Sequence, residues 1–512
     1  MGLSAWVLVI GVVAQIPPPE TAAERSAPLR QESREIRRRE AERLAAAADA
    51  LAARGRAEEA ETVRGWIEPE PDPDGPTRFV PLPEFVAASD PGLANVPARA
   101  IREATAEAWY ELAERALQAN QLALADECLR RVVGRRPDHA EARRLLGYVP
   151  RAGGWATPFA VRMLREGQVQ HPKFGWVPAA WIPHLEQGEL PAPAEPGRPR
   201  RWLPAAEADA LRRDVANAWD LVTPHFRIRA NVPLAEAITF GRRLEDFHEA
   251  FLALLADVIG PERHPLAQRF RKPAATAVRE PEPHRVWYFA ARDQYIDFLT
   301  RRGVPDVQAE LGRYLPPKES RQLKIPPASY FFLDPTNQLG ATGTLYHEAS
   351  HQLLFETAGP TAYERNLGNY WVFEGLGTYF ETVTSHPDGS LAIGGRVGPR
   401  FETARSRLVD NGEVVPIARL VAQDESAFKG GDVYLHYAQS LALTLFLMQA
   451  DGGRHRDGFL AYVHDAYRGR ARGGPALAHH LGEEYESLEA RFLEFLKAGT
   501  PLTSRVHAPT RN

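Results

Sequence analysis

The chain has 512 residues, with 62 Lys and Arg against 66 Asp and Glu, for a formal net charge of −4. That length carries two or three domains, and the near balance of charge leaves no electrostatic case for nucleic-acid binding. The lone cysteine, Cys128, excludes both an intramolecular disulfide and a cysteine-ligated zinc site.

Leu3–Ala14 is nearly unbroken apolar sequence. It is too short to span a bilayer and has the length of a secretory signal core. Val12-Val13-Ala14 offers a small-residue cleavage site, and Pro17–Pro19 stops a helix just beyond it. Residues 1–14 are therefore expected to be a signal peptide, and the mature protein to be secreted or periplasmic. No other stretch is apolar enough for stable membrane insertion. Residues 22–66, rich in Ala, Arg and Glu and broken at Gly55, predict one or two helices. Residues 67–96 hold a Pro/Asp break and read as a linker.

Residues 97–150 are again helical. Trp109 and Leu112 open a Trp-x-x-Leu pattern, alanines follow at packing positions, and a second helix runs to Pro137. Cys128 falls on its amphipathic pattern and reads as a small buried apolar residue. The stretch resembles about one and a half tetratricopeptide repeats. A free-standing solenoid needs about three, so a small all-α region is expected, with a surface open to a protein partner. Residues 151–200 carry Gly-Trp pairs and prolines and little helical period. They predict an extended segment whose tryptophans pack on a neighbour, ending in the proline-rich Pro191–Arg201 as a domain boundary.

From residue 201 to 498 strands and helices alternate, and residues 499–512 form a tail. His225–Asn231, His284–Ala290 and Ala328–Asp334 read as strands, and Leu234–Ile259 as a long amphipathic helix. Strands first and helices after make the fold class α+β. Ala328–Asp334 is expected at a sheet edge, where an extended peptide could lie.

The stretch "GTLYHEASHQLLFET" (Gly343–Thr357) contains His-Glu-x-x-His. On a helix, His347 and His351 lie one turn apart on one face and can share one Zn²⁺. Glu348 lies off that ligand axis, placed to take a proton from a water that the metal acidifies. A third ligand is required, with Glu356, Glu364, Glu374, Glu381 and His386 as downstream candidates. Glu374 stands out, 23 positions after His351, which is room for a loop and a returning helix. Gly375 and Gly377, poor helix formers, fit a helix pressed against the first. Thr378 lies one turn beyond Glu374 and could bond a ligand histidine. The other histidines, among them His139, His171, His225, His479 and His480, show no ligand spacing.

"HEASHQ" followed by "WVFEGLGTYFE" resembles the gluzincin metallopeptidases, and among them the secreted bacterial peptidase-MA-like domains. The resemblance covers roughly Trp202–Lys497. It implies a mostly helical, thermolysin-like zinc domain with a small mixed sheet and one Zn²⁺ per chain. His347, His351 and Glu374 would be its ligands and Glu348 the general base. It further implies an oxyanion-stabilising tyrosine in "YLHYAQSLALTLFLMQADGG". Tyr437 aligns best, with Tyr434 and His436 as rivals. Phe373 and Gly377 depart from the better-known aminopeptidases, which usually have Asn and Ala there. The expected function is zinc-dependent hydrolysis of peptide or protein substrates. The alternative is an inactive gluzincin-fold scaffold that binds partners through its helical region.

Overall fold

The computed structural model describes residues 21–87, 98–195, 197–272, 282–359, 368–471 and 476–498. The expected signal peptide and tail lie outside these residues, as does Glu364. Among these residues the protein is α+β and mostly helical, with five small sheets.

At the N-terminus a capping box between Thr21 and Glu24 starts the helix Ala22–Ala53. Ala57–Arg64 returns along it after Gly55. Helices Arg99–Gln118 and Leu122–Arg135 then pack as a pair. Trp109, Leu112, Ala113 and Ala116 share a buried core with Leu124, Ala125, Cys128 and Leu129. Ala256, Leu266 and Ala267, from far down the chain, complete that core. The helical region is therefore packed into the rest of the protein through apolar contact.

The expected linker at 67–96 is structured where it is described. Thr77–Phe79 pairs with Leu391–Ile393. Phe79 enters the main core, and Arg78 turns outward to Asp388 at 2.6 Å. Phe85–Ala87 pairs with Gly154–Ala156. Backbone that passes over a buried surface must bond to something, and here it bonds to other strands.

Residues 147–212 overturn the reading of an extended segment. They form three consecutive hairpin–helix units. Val149–Arg151 pairs with Gly154–Ala156 and leads into helix Pro158–Arg165. Gln168–His171 pairs with Gly175–Pro178 and leads into Ile182–Glu186. Glu189–Pro191 pairs with Trp202–Pro204 and leads into Ala205–Arg212. A glycine at positive φ opens each unit, namely Gly147 (95°), Gly167 (76°) and Gly188 (76°), and its amide closes the helix before it. The residue after each of Trp155, Trp176 and Trp202 pairs with an apolar partner: Ala156 with Val149, Val177 with Val169 and Leu203 with Leu190. Pro191–Arg201 is thus the long loop of the third hairpin and not a domain boundary. Ala192 N–H donates to the Arg201 carbonyl across its base at 2.9 Å.

The main sheet has the order Gly312–Leu315, Ala328–Phe332, His284–Phe289, Phe226–Ala230 and Trp219–Val222. The three central strands are parallel and the outer two antiparallel. Ala328–Phe332 is buried along its whole length and lies inside the sheet, so the expectation that it forms the edge is wrong. The edge beside it is the four-residue strand Gly312–Leu315. The expected helix Leu234–Ile259 stops at Leu254, and Ala256–Ile259 forms a separate turn.

Candidate metal centre

The helix Gln338–Ala358 carries both motif histidines. The Asn337 side chain accepts the Gly340 amide at its start, and Gly359 ends it at φ +63°. Gln352, next to His351 and fully buried, fastens this helix to two central strands. Its Oε1 accepts from the Ser329 hydroxyl at 2.8 Å, and its Nε2 donates to the Arg285 carbonyl at 3.0 Å. The sheet thereby sets the pose of the helix that presents His347 and His351.

Glu374 comes from the helix Tyr370–Phe380, every residue of which is buried. A Cβ on Gly377 would lie 2.7 Å from His347 Cε1 and 2.8 Å from its Nε2. This glycine lets the second helix press on the first, as expected. A Cβ on Gly375 would instead meet Thr444 Oγ1 at 2.6 Å, on the helix Val433–Gly453. The two glycines thus serve two different helix contacts.

The three candidate ligands converge. His347 Nε2 and His351 Nε2 are 3.1 Å apart, and Glu374 Oε2 lies 3.4 and 3.8 Å from them. Tetrahedral bonds of about 2.0–2.1 Å place ligand atoms about 3.3 Å apart, so the triangle has the size of a zinc site. Glu374 Oε1 accepts the Tyr370 hydroxyl at 2.7 Å, while Oε2 is buried with no hydrogen-bond partner. An orphaned buried carboxylate oxygen facing two imidazole nitrogens is what a cation would satisfy. The electrostatics agree. Burial works against a charged His347, but the facing Glu374 carboxylate and the Glu381 carboxylate bonded to Nδ1 outweigh that and lift it to about 10. Burial also opposes the Glu374 carboxylate, yet the two histidines hold it well below its usual range. These residues fit a metal ion.

Glu348 stands off the triangle. Its Oε2 accepts the Tyr314 backbone N–H at 2.8 Å, from the edge strand. Tyr437 lies beside Glu374. Burial, then the Glu374 charge, drives its phenol far above its ordinary value and keeps it protonated. The Arg400 guanidinium sits 5.0 Å from its ring centre. The rivals are placed elsewhere: Tyr434 is 77% exposed, and His436 is spent on the Phe428 carbonyl at 2.6 Å. Of the other ligand candidates, Glu356 is bonded to His284 and His386 lies exposed in a turn.

Thr378 does not reach a ligand histidine. Its hydroxyl donates to the Glu374 and Gly375 carbonyls of its own helix. The supporting place at His347 belongs to Glu381, whose Oε1 accepts from Nδ1 at 2.8 Å, while Oε2 accepts Arg400 Nε–H at 2.7 Å. In the neutral ring that a metal ion requires, the Nδ1 proton on Glu381 leaves the Nε2 lone pair facing the triangle. Glu381, a ligand candidate by sequence, is instead the hydrogen-bond support of a ligand candidate. Seven positions after Glu374 is two helical turns, a spacing that could have placed it on the ligand face. Tyr370 and Tyr314 were also missed, the latter because its contribution is a backbone amide.

A family model described as "Protein of unknown function (DUF1570)" matches residues 341–469, a span that includes His347, Glu374 and Tyr437. No curated protein matches the chain, and no solved structure matches it.

Proposed function

We propose that the protein is a zinc-dependent peptidase of gluzincin type. The observation that carries this reading is Glu348: a carboxylate held beside a complete three-ligand triangle but outside it. Metal binding alone would not need it. Two imidazoles and one carboxylate suit Zn²⁺ and leave a position for water. Bound zinc would supply an acidified water and polarise a carbonyl. Glu348 takes the proton from the attacking water and returns it to the leaving amine. The Tyr314 amide orients it for this. Tyr437 donates to the oxyanion, a role that its protonated phenol fills without adding charge to the resting site. The peptide adds to the edge strand Gly312–Leu315, the strand whose Tyr314 amide bonds Glu348. Export through residues 1–14 and a partner surface on the helices of 97–150 belong to the same reading.

Paired variants test it. Glu348→Gln should keep about one zinc at the triad and lose proteolysis by about 10² or more. Glu374→Gln should lose zinc affinity itself, because a neutral amide is a poor ligand for a dication. Zinc loss in the first and retention in the second would reverse the assignments. Wild-type protein that holds zinc but cleaves no casein or peptide library would favour the scaffold alternative.

A further inference from the structure

We propose a second divalent-cation site, formed by His225, Glu245 and His248, that the peptidase reading neither uses nor requires. Glu245 and His248 stand three apart on the helix Leu234–Leu254 and so project from one face. His225 immediately precedes the neighbouring strand Phe226–Ala230. One ligand atom from each residue lies within 4.8 Å of the other two; His225 Nδ1 and Glu245 Oε2 share a hydrogen bond of 2.7 Å that the ion would replace, while Glu245 Oε1 accepts the His225 backbone N–H at 2.8 Å. Among the described residues, this group and the His347 triad are the two groups with such geometry.

A second, independent observation comes from His248. It is 4% exposed, yet its Nδ1 has no hydrogen-bond partner. Buried polar nitrogens are nearly always bonded. Glu374 Oε2 bears the same mark in the first triad. The neighbouring histidines are committed elsewhere: His284 to Glu356, and His264 to the Leu252 carbonyl and the Leu266 amide. They leave His225, Glu245 and His248 as the ligand set.

The site is reachable. All three residues line a cleft of about 2410 Å³ between the hairpin–helix units and the strand–helix pair, and the His347 triad does not line it. The rings of His225 and His248 stack at 3.8 Å, so one of them must turn for both lone pairs to meet an ion. The His225 side chain, 41% exposed at the cleft wall, has the room to do so. Two imidazoles and a carboxylate select a zinc-like ion over calcium or magnesium. The ion would clamp the start of a central strand to the helix beside it.

Metal counting on the untagged full chain tests this, with zinc alone as probe and a graded chelator as competitor. Wild type should hold about two zinc ions. His351→Ala should keep one, and His225→Ala and His248→Ala should each keep one. Glu245→Gln should weaken the second ion at least tenfold. His225 is half-buried at the cleft wall, so its variant tests the site even if that of the buried His248 fails to fold. One ion in wild type that is lost in His351→Ala would overturn the proposal. So would a second ion that survives in both His225→Ala and Glu245→Gln. A single ion that His351→Ala retains and His225→Ala loses would sink the peptidase reading and leave this site standing.

Discussion

Replacing a helical glycine by alanine ordinarily stabilises a helix by about 1 kcal/mol, but at Gly377 the added carbon has nowhere to go. It would lie 2.7, 2.8 and 3.0 Å from Cε1, Nε2 and Nδ1 of His347. Comfortable carbon contacts begin at about 3.5 Å, so the imidazole must withdraw by about 0.8 Å from the 2.7 Å contact at Cε1. It has little slack, because Nδ1 is tied to Glu381 at 2.8 Å. Metal–ligand distances tolerate about ±0.2 Å. The shift therefore breaks the Glu381 bond or the metal bond, and loss of such support costs about 10–100-fold in metal affinity. Overpacking of about 1–3 kcal/mol would also cancel the propensity gain, leaving the zinc-free fold unchanged or weakened by up to about 2 kcal/mol. Chelator competition gives the affinity and thermal melts the stability. Gly375→Ala is the control. Its added carbon meets Thr444 and Ser440 on another helix, so it should cost stability and spare zinc. Gly377→Ala within twofold of wild-type affinity, or Gly375→Ala losing as much, would refute the reasoning.

Tyr437→Phe should retain zinc and lose turnover by about 10²–10³, the usual effect of removing one oxyanion donor; full kcat in the variant would remove the tyrosine from the mechanism. Asp257 tests the coupling between the helical region and the main core. Burial, then repulsion from Asp457, lifts its carboxyl to about 6 from an ordinary 3.8. The folded chain holds this proton more tightly than the unfolded chain, so the group's stabilisation is complete below about pH 4 and is lost as pH rises through 6. Asp257→Asn keeps an acceptor for the Leu122 amide, now 2.6 Å away, and never ionises. Its melting temperature relative to wild type should climb between pH 4 and pH 7, and a flat difference would show that the burial cost is absent.

Much of the centre was legible because its geometry is local. His347, Glu348 and His351 lie within two turns of one helix, and period alone gives their facing. The central strands were legible through runs such as Ser329–Phe332, which β-branched and aromatic residues dominate elsewhere in the sheet as well. Sheet order was not legible. Gly312–Leu315 is four residues with no alternation to betray it, and only its pairing with Ala328–Phe332 shows that the longer strand is interior. Strands of three residues, such as Gly154–Ala156, fall below any period. The Gly-Trp pairs were visible, but their meaning lies in backbone bonds across a hairpin. Thr378 and Glu381 both lie beyond Glu374 on the expected ligand face; helix-internal bonding claimed the nearer, and chain reach favoured the farther.

The three hairpin–helix units change how the length of this chain can be counted. Each opens on a glycine whose amide finishes the preceding helix, so the seam between units carries the same bonds wherever it falls. Trp155 and Trp176 stand 21 positions apart, one unit's worth of sequence. The first unit is tied to Phe85–Ala87, but a chain could gain or lose the second or third unit whole with the remaining hairpins still paired, whereas removing half of one would strand a hairpin without its partner. Natural length variation between the N-terminal helices and the metal-bearing half should then come in steps of about 21 residues, with extra residues tolerated at hairpin tips, as the long loop between Pro191 and Trp202 already shows.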